Sequence, residues 1–89
     1  MLKTRQLERI VKGFANHRRI QIMELLDNNP GLSLIDISTR LKINIKTASE
    51  HIRRLTIPGL LFKRNRGNNV LHNLSPLGLS ILKFLRKLE

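Results

Sequence analysis

The sequence predicts a mainly α-helical fold carrying one small β-hairpin, and three observations support this. Aliphatic residues recur at three- and four-residue spacing through most of the chain, as in helices that bury one stripe. Asn, Ser, Pro and Gly stand where helix caps and breaks need them. After residue 60 the pattern changes to two short apolar flanks around a Gly-Asn turn, a hairpin signal. With 89 residues, no internal repeat and no low-complexity run, the chain reads as one domain over residues 1–89.

Leu7, Ile10, Val11 and Phe14 place an apolar stripe on a first helix over about residues 2–15, leaving Lys3, Arg5, Arg9 and Lys12 to solvent. Gly13 and Asn16 weaken helical continuity, after which Ile20, Met23 and Leu26 resume the period in a second helix from about His17 to Asp27. Asn28-Asn29-Pro30-Gly31 stops that helix, because Asn tolerates left-handed φ, Pro cannot continue a helix and Gly accepts either sign of φ. Ser33 then caps a third helix, with Asp36 at its third position where a carboxylate suits both the capping box and the helix dipole. Leu34, Ile37 and Leu41 form its inner face.

Asn44 caps a fourth helix that turns Ile45, Ala48, Ile52 and Leu55 inward. The third and fourth helices, joined by a tight turn, form a helix-turn-helix over about residues 33–57. Pro58 and Gly59 end it, and Leu60 to Lys63 and Val70 to Leu74 make the two flanks of a wing over about residues 60–74. Ser75 and Pro76 start a last helix over about residues 76–88, with the cap and the first-turn proline in their favoured order. Leu77, Leu79, Ile81, Leu82, Phe84, Leu85 and Leu88 cover more than one face of it, so a partner surface is implied. A chain this short gains from burial between copies. The expectation is a homodimer built on Leu7, Ile10, Val11 and Phe14 of the first helix with Ile81, Leu82, Leu85 and Leu88 of the last.

Charge points to the partner. The formal net charge is +11, and Arg40, Lys42, Lys46, Arg53, Arg54, Lys63, Arg64 and Arg66 face a single acid, Glu50, between residues 40 and 66. A field of that sign captures polyanions, so nucleic acid is the default partner. Lys46, Thr47, Glu50, Arg53 and Arg54 point away from the inner face of the fourth helix, with Ser49 at its margin. Their chemistry suits base edges and phosphates: Lys and Arg donate to guanine, Ser and Thr serve either strand, and Glu accepts from cytosine N4. A merely solvated helix surface would explain these charges taken alone, but not the helix-turn-helix, the Pro-Gly stop and the basic hairpin in that order. With three Phe and neither Trp nor Tyr, the chain lacks the stacking platforms of single-strand binders, so the nucleic acid expected is double-stranded DNA.

Residues 16–82 resemble the arsenic-repressor-type (ArsR-like) winged helix-turn-helix family, and the closing segment is also similar to the MarR and PadR groups. The resemblance rests on Arg19-Ile20-Gln21-Ile22-Met23-Glu24-Leu25-Leu26, on Thr47-Ala48-Ser49-Glu50-His51-Ile52-Arg53-Arg54-Leu55, on Gly59-Leu60-Leu61 before a basic wing, and on Leu74-Ser75-Pro76-Leu77-Gly78. It implies a transcription regulator that binds DNA as a two-fold dimer, with residues 44–57 in the major groove and residues 63–69 on the backbone or minor groove. Carried over by position, Lys46, Thr47, Ser49 and Glu50 face bases, while Asn44, Arg53, Arg54, Lys63, Arg64, Arg66 and Asn68 meet phosphates. His51 falls at the helix–DNA margin or against the turn. Two positions depart from the family pattern. Lys42 replaces the usual Gly, which predicts a reshaped turn because non-Gly residues seldom take positive φ, and Pro58 precedes the Gly-Leu pair.

Other classes fit less well. No Gly-Lys-Ser/Thr phosphate loop, His-Glu-x-x-His helix or nucleophile with an evident base is present, so no enzymatic activity and no cofactor are expected. There is no Cys, and His17, His51 and His72 are far apart in sequence, so no metal site is expected. No segment reaches the ~20 apolar residues of a membrane span or the apolar run of a signal peptide, so a cytoplasmic, nucleoid-associated location is expected. Two alternatives use the same fold: an architectural DNA binder with little base preference, and a winged helix devoted to protein contact.

Overall fold

The computed structural model describes all of residues 1–89. Five helices and one antiparallel hairpin follow in the order α1 (Thr4–Phe14), α2 (His17–Asn28), α3 (Leu34–Leu41), α4 (Ile45–Thr56), β1 (Leu61–Arg66), β2 (Asn69–Leu74) and α5 (Pro76–Arg86). The caps set these limits. The Asn16 side chain accepts from the Arg18 and Arg19 amides at 2.9 and 3.2 Å and starts α2. Ser33 and Asp36 bond reciprocally at the start of α3, at 3.1 and 3.3 Å, as a capping box requires. The Ser75 hydroxyl accepts from the Gly78 amide at 3.0 Å and starts α5. The same hydroxyl points at the Gly59 and Leu60 carbonyls, 2.5 and 2.9 Å away, fastening α5 to the end of the helix-turn-helix.

The turn between α3 and α4 is not reshaped. Lys42 itself takes the left-handed conformation, at φ 55 and ψ 46. The Lys42 amide then bonds the Thr39 carbonyl and the Ile43 amide bonds the Ser38 carbonyl, which is the double closure of a Schellman cap. The Ser38 hydroxyl locks the turn further by donating to the Ile43 carbonyl at 2.6 Å.

The hairpin is longer than the sequence suggests. β1 and β2 pair from Leu61↔Leu74 to Arg66↔Asn69, leaving Gly67 and Asn68 as a two-residue turn with Gly67 at φ +61. Positive φ at the first central position suits a type II′ turn, whose twist matches the strands. Arg64 and Arg66 therefore lie in the same strand as Lys63 rather than in the turn. A bridge between Leu32 and His72 adds the segment before α3 to the open edge of β2.

Ile22, Met23, Leu26, Leu32, Ile37, Ile52, Leu55, Leu60, Leu61 and Leu82 form one core. Each such fully buried aliphatic side chain contributes roughly 1.5–3 kcal/mol. Three expectations are corrected here. Ile22 is fully buried while Ile20 is only half-buried, because α2 is packed by α1, α3, α4, α5 and β2 and so buries a wide arc. Ile45 is 44% exposed, because at the first turn of α4 its side chain leans toward the helix start, away from the core. Leu82, expected at a dimer face, is 1% exposed within its own chain and unavailable to a partner.

Candidate nucleic-acid interface

The face that α4 offers is set by what it hides. Ala48, Ile52 and Leu55 are buried at 0, 3 and 0% exposure, which fixes the rotation of the helix about its axis. Lys46, Thr47, Ser49, Glu50, Arg53 and Arg54 are consequently all exposed on the opposite side. Ser49, one residue after buried Ala48, is exposed at the margin of this face. Asn44 begins the helix, its side-chain oxygen accepting from the Lys46 amide at 2.8 Å, so that its NH2 group is left to donate outward.

Glu50 sits at the centre of the face and holds both arginines. Arg53 grips it with a two-pronged fork, Nη2 to Oε1 at 2.6 Å and Nε to Oε2 at 3.1 Å, and Arg54 Nε donates to Oε1 at 2.9 Å. Hydrogen bonds from Arg53, then from Arg54, hold the Glu50 carboxyl down to about 2, so it stays ionised. The carboxylate thus pre-orients two guanidinium groups, and a base contact from Glu50 must compete with those bonds.

His51 lies at the edge of this face and is half-buried. Its Nδ1 accepts from Arg19 Nε at 3.2 Å, which requires the neutral ring, and burial together with the Arg19 charge pushes its pKa below the ordinary value. The Arg19 guanidinium also donates from Nη1 to the Lys12 and Gly13 carbonyls at 3.1 and 3.2 Å. Periodicity does not foretell this link, because its partners are 6, 7 and 32 residues away. The Arg-leading segment of α2 was the only sign of it.

The wing's cations divide between two faces. Strand alternation puts Lys63 on the side of buried Leu61 and His72, whereas Arg64 and Arg66 share the other side with Phe62. Lys63, Arg64, Arg66 and the turn residue Asn68 are all exposed, and residues 61–74 contain no acid.

On the terminal helices, Leu7 and Val11 of α1 are 48 and 50% exposed, and Phe84 and Leu88 at the chain's end are 55 and 69% exposed. Ile10, Phe14 and Ile81 are half-buried against the core, and Leu85 is half-buried. The three histidines do not gather: His72 is buried in the hairpin, its Nδ1–H donating to the Leu32 carbonyl at 2.9 Å, and no three potential metal-ligating side chains cluster anywhere in the chain.

Comparison with known proteins agrees with this geometry. A winged helix-turn-helix DNA-binding family matches residues 16–56. The transcriptional activator HlyU of Vibrio cholerae is 37% identical over 67 residues, which span 74% of this chain and 60% of HlyU. A structure of V. cholerae HlyU superimposes with a TM-score of 0.82 at 30% identity, covering 99% of this chain and 97% of that one. A homodimeric winged helix-turn-helix DNA-binding domain from Mycobacterium bovis, described as a possible ArsR-family transcriptional regulator, superimposes with a TM-score of 0.80 at 29% identity, covering 93 and 76%. With its helix-turn-helix, its basic hairpin and these relatives taken together, the chain belongs to the ArsR-like family of winged helix-turn-helix DNA-binding proteins.

Proposed function

We propose that this chain is a sequence-specific, double-stranded DNA-binding transcription regulator that acts as a homodimer beside the nucleoid, by binding alone and without catalysis. The observation that carries this reading is the exposed face of α4, whose rotation is fixed by buried Ala48, Ile52 and Leu55 and which is flanked by an acid-free basic wing. In this reading Lys46, Thr47, Ser49 and Glu50 address base edges in the major groove. Asn44, Arg53, Arg54, Lys63, Arg64, Arg66 and Asn68 hold phosphates and fix the register. Glu50 favours a specific binder over an architectural one. A carboxylate at the centre of a basic face weakens phosphate attraction, unless it reads a base or aims its neighbours.

The chain's own surface supports the homodimer. A monomer of 10.3 kDa exposes about 5,400 Å² by the usual scaling, whereas this chain exposes 6287 Å². The excess is comparable to the roughly 800 Å² that each partner covers in a standard interface. Exposed Leu7, Val11, Phe84 and Leu88 on the terminal helices supply the apolar part of that surface.

Replacing Thr47 by Ala tests the reading role. Titration against a preferred duplex and a random-sequence duplex should show the gap between them shrinking by about 1–3 kcal/mol, the worth of a base contact, with random-sequence binding little changed. Equal loss on both duplexes would remove Thr47 from base reading.

A further inference from the structure

We propose that Arg19 is a positioning residue: its guanidinium joins α1 to the recognition helix α4 and thereby sets the spacing at which the two recognition helices of a dimer meet DNA. This rests on the dimeric, DNA-binding reading above.

The contact between α1 and α4 is narrow. At one end the two backbones press together at Gly13, where a Cβ would stand 2.8 Å from Pro58 Cγ and 3.1 Å from the Arg54 carbonyl oxygen. Away from Gly13 the helices diverge around an open groove of about 570 Å³, with Leu2, Gln6 and Arg9 on one wall and Arg53, Arg54 and Ile57 on the other. Ile10 and Phe14 also pack α1 against the core, but its close backbone approach to α4 is at Gly13 alone, so the angle between these two helices can change about that point. Arg19 opposes the pivot. Its Nη1 bonds the Lys12 and Gly13 carbonyls, which belong to the last turn of α1 and have no partner within that helix, and a cation is favoured at that end of the helix dipole. Its Nε bonds His51 Nδ1 on α4. Three bonds from one planar group thus fasten the end of α1 to α4, and a planar fork resists rotation better than a single-point ammonium.

The consequence lies in what α1 carries. Leu7 and Val11, on its solvent side, belong to the surface assigned to the partner chain. The angle between α1 and α4 then becomes the angle between the dimer axis and each recognition helix, and so the distance between the two helices on DNA. Half-site spacing is a geometric quantity of this kind.

The test uses the full chain, a single half-site duplex and a series of inverted-repeat duplexes whose half-site spacing changes one base pair at a time. The wild-type protein should show a sharp spacing optimum. Arg19→Gln and His51→Leu should lower affinity at that optimum by about tenfold or more, because the two half-sites no longer reinforce each other. At neighbouring spacings and on the half-site the loss should be slight. His51→Asn, which keeps an acceptor near the position of Nδ1, should preserve the optimum. If Arg19→Gln does not fold, the two His51 variants decide the matter, since they leave the cap on α1 intact. Equal loss at every spacing and on the half-site would overturn the proposal, as would an optimum unchanged in the variants. A wild-type protein with no spacing optimum would overturn the dimeric reading and this proposal with it.

Discussion

Lys42 carries the only non-glycine residue conformation at positive φ, and it does so at the turn that aims the recognition helix. A left-handed conformation costs an L-residue roughly 1–2 kcal/mol, which glycine avoids at the expense of more freedom in the unfolded chain. Lys42→Gly should therefore raise stability in thermal or denaturant unfolding by about 0.5–1 kcal/mol, and Lys42→Val should lower it by about 1–2 kcal/mol. Unchanged stability in both variants would mean that the Schellman bonds relax around any side chain. His72 makes a second prediction. Burial pushes its pKa below the usual 6.5, with Lys63 adding to the shift and the bond to Leu32 opposing it. The unfolded chain takes up this proton near 6.5 and the folded chain only at lower pH, so stability falls as pH drops through and below that value. His51 shifts the same way. The melting temperature should decline between about pH 7.5 and 5, and His72→Asn should flatten part of that decline. A wild-type melting temperature independent of pH over this range would refute the assignment.

In the proposed reading the recognition helix and the wing divide the work by chemistry. In α4 three buried residues fix the rotation and the Glu50 fork aims Arg53 and Arg54. In the hairpin, register puts Arg64 and Arg66 on one face without any acid to offset them. Arg64→Ala or Arg66→Ala should thus weaken binding to all duplexes alike and reduce the slope of log affinity against log salt by about one for each phosphate no longer neutralised. An unaltered slope would remove the wing from the interface. These elements were legible in the sequence to different degrees. Ser33 with Asp36, Asn44, and Ser75 with Pro76 marked their helices because capping is local chemistry. The exposed face of α4 followed from the spacing of Ala48, Ile52 and Leu55. The Glu50 fork was partly legible, since Glu50, Arg53 and Arg54 are three and four residues apart. The bond from Arg19 to His51 was not, because it joins two helices across 32 residues. The length of β1 was missed too, because polar, basic Arg64-Asn65-Arg66 looks like a loop until it is paired with β2.

At the level of the protein as a unit, the terminal helices were read correctly as elements but too generously as a partner surface. Periodicity cannot tell an apolar residue covered by its own chain from one left for another, and Leu82 belongs to the first kind while Leu7, Val11, Phe84 and Leu88 remain open. The chain measures 37 × 28 × 21 Å, and it carries both the basic face of α4 and the wing and the exposed aliphatic and aromatic side chains of the terminal helices. A two-fold dimer presents two equivalent recognition helices, which imposes symmetry on the DNA it prefers. Selection of bound duplexes from a random-sequence pool at ~150 mM salt, where exposed charges beyond about 8 Å are screened, puts that to the test. Enrichment of an inverted repeat, its half-sites centred about one helical turn or a multiple of it apart, is the predicted result. Tight binding with no enriched motif would contradict sequence-specific regulation, and absence of duplex binding would contradict the assignment of this surface to DNA altogether.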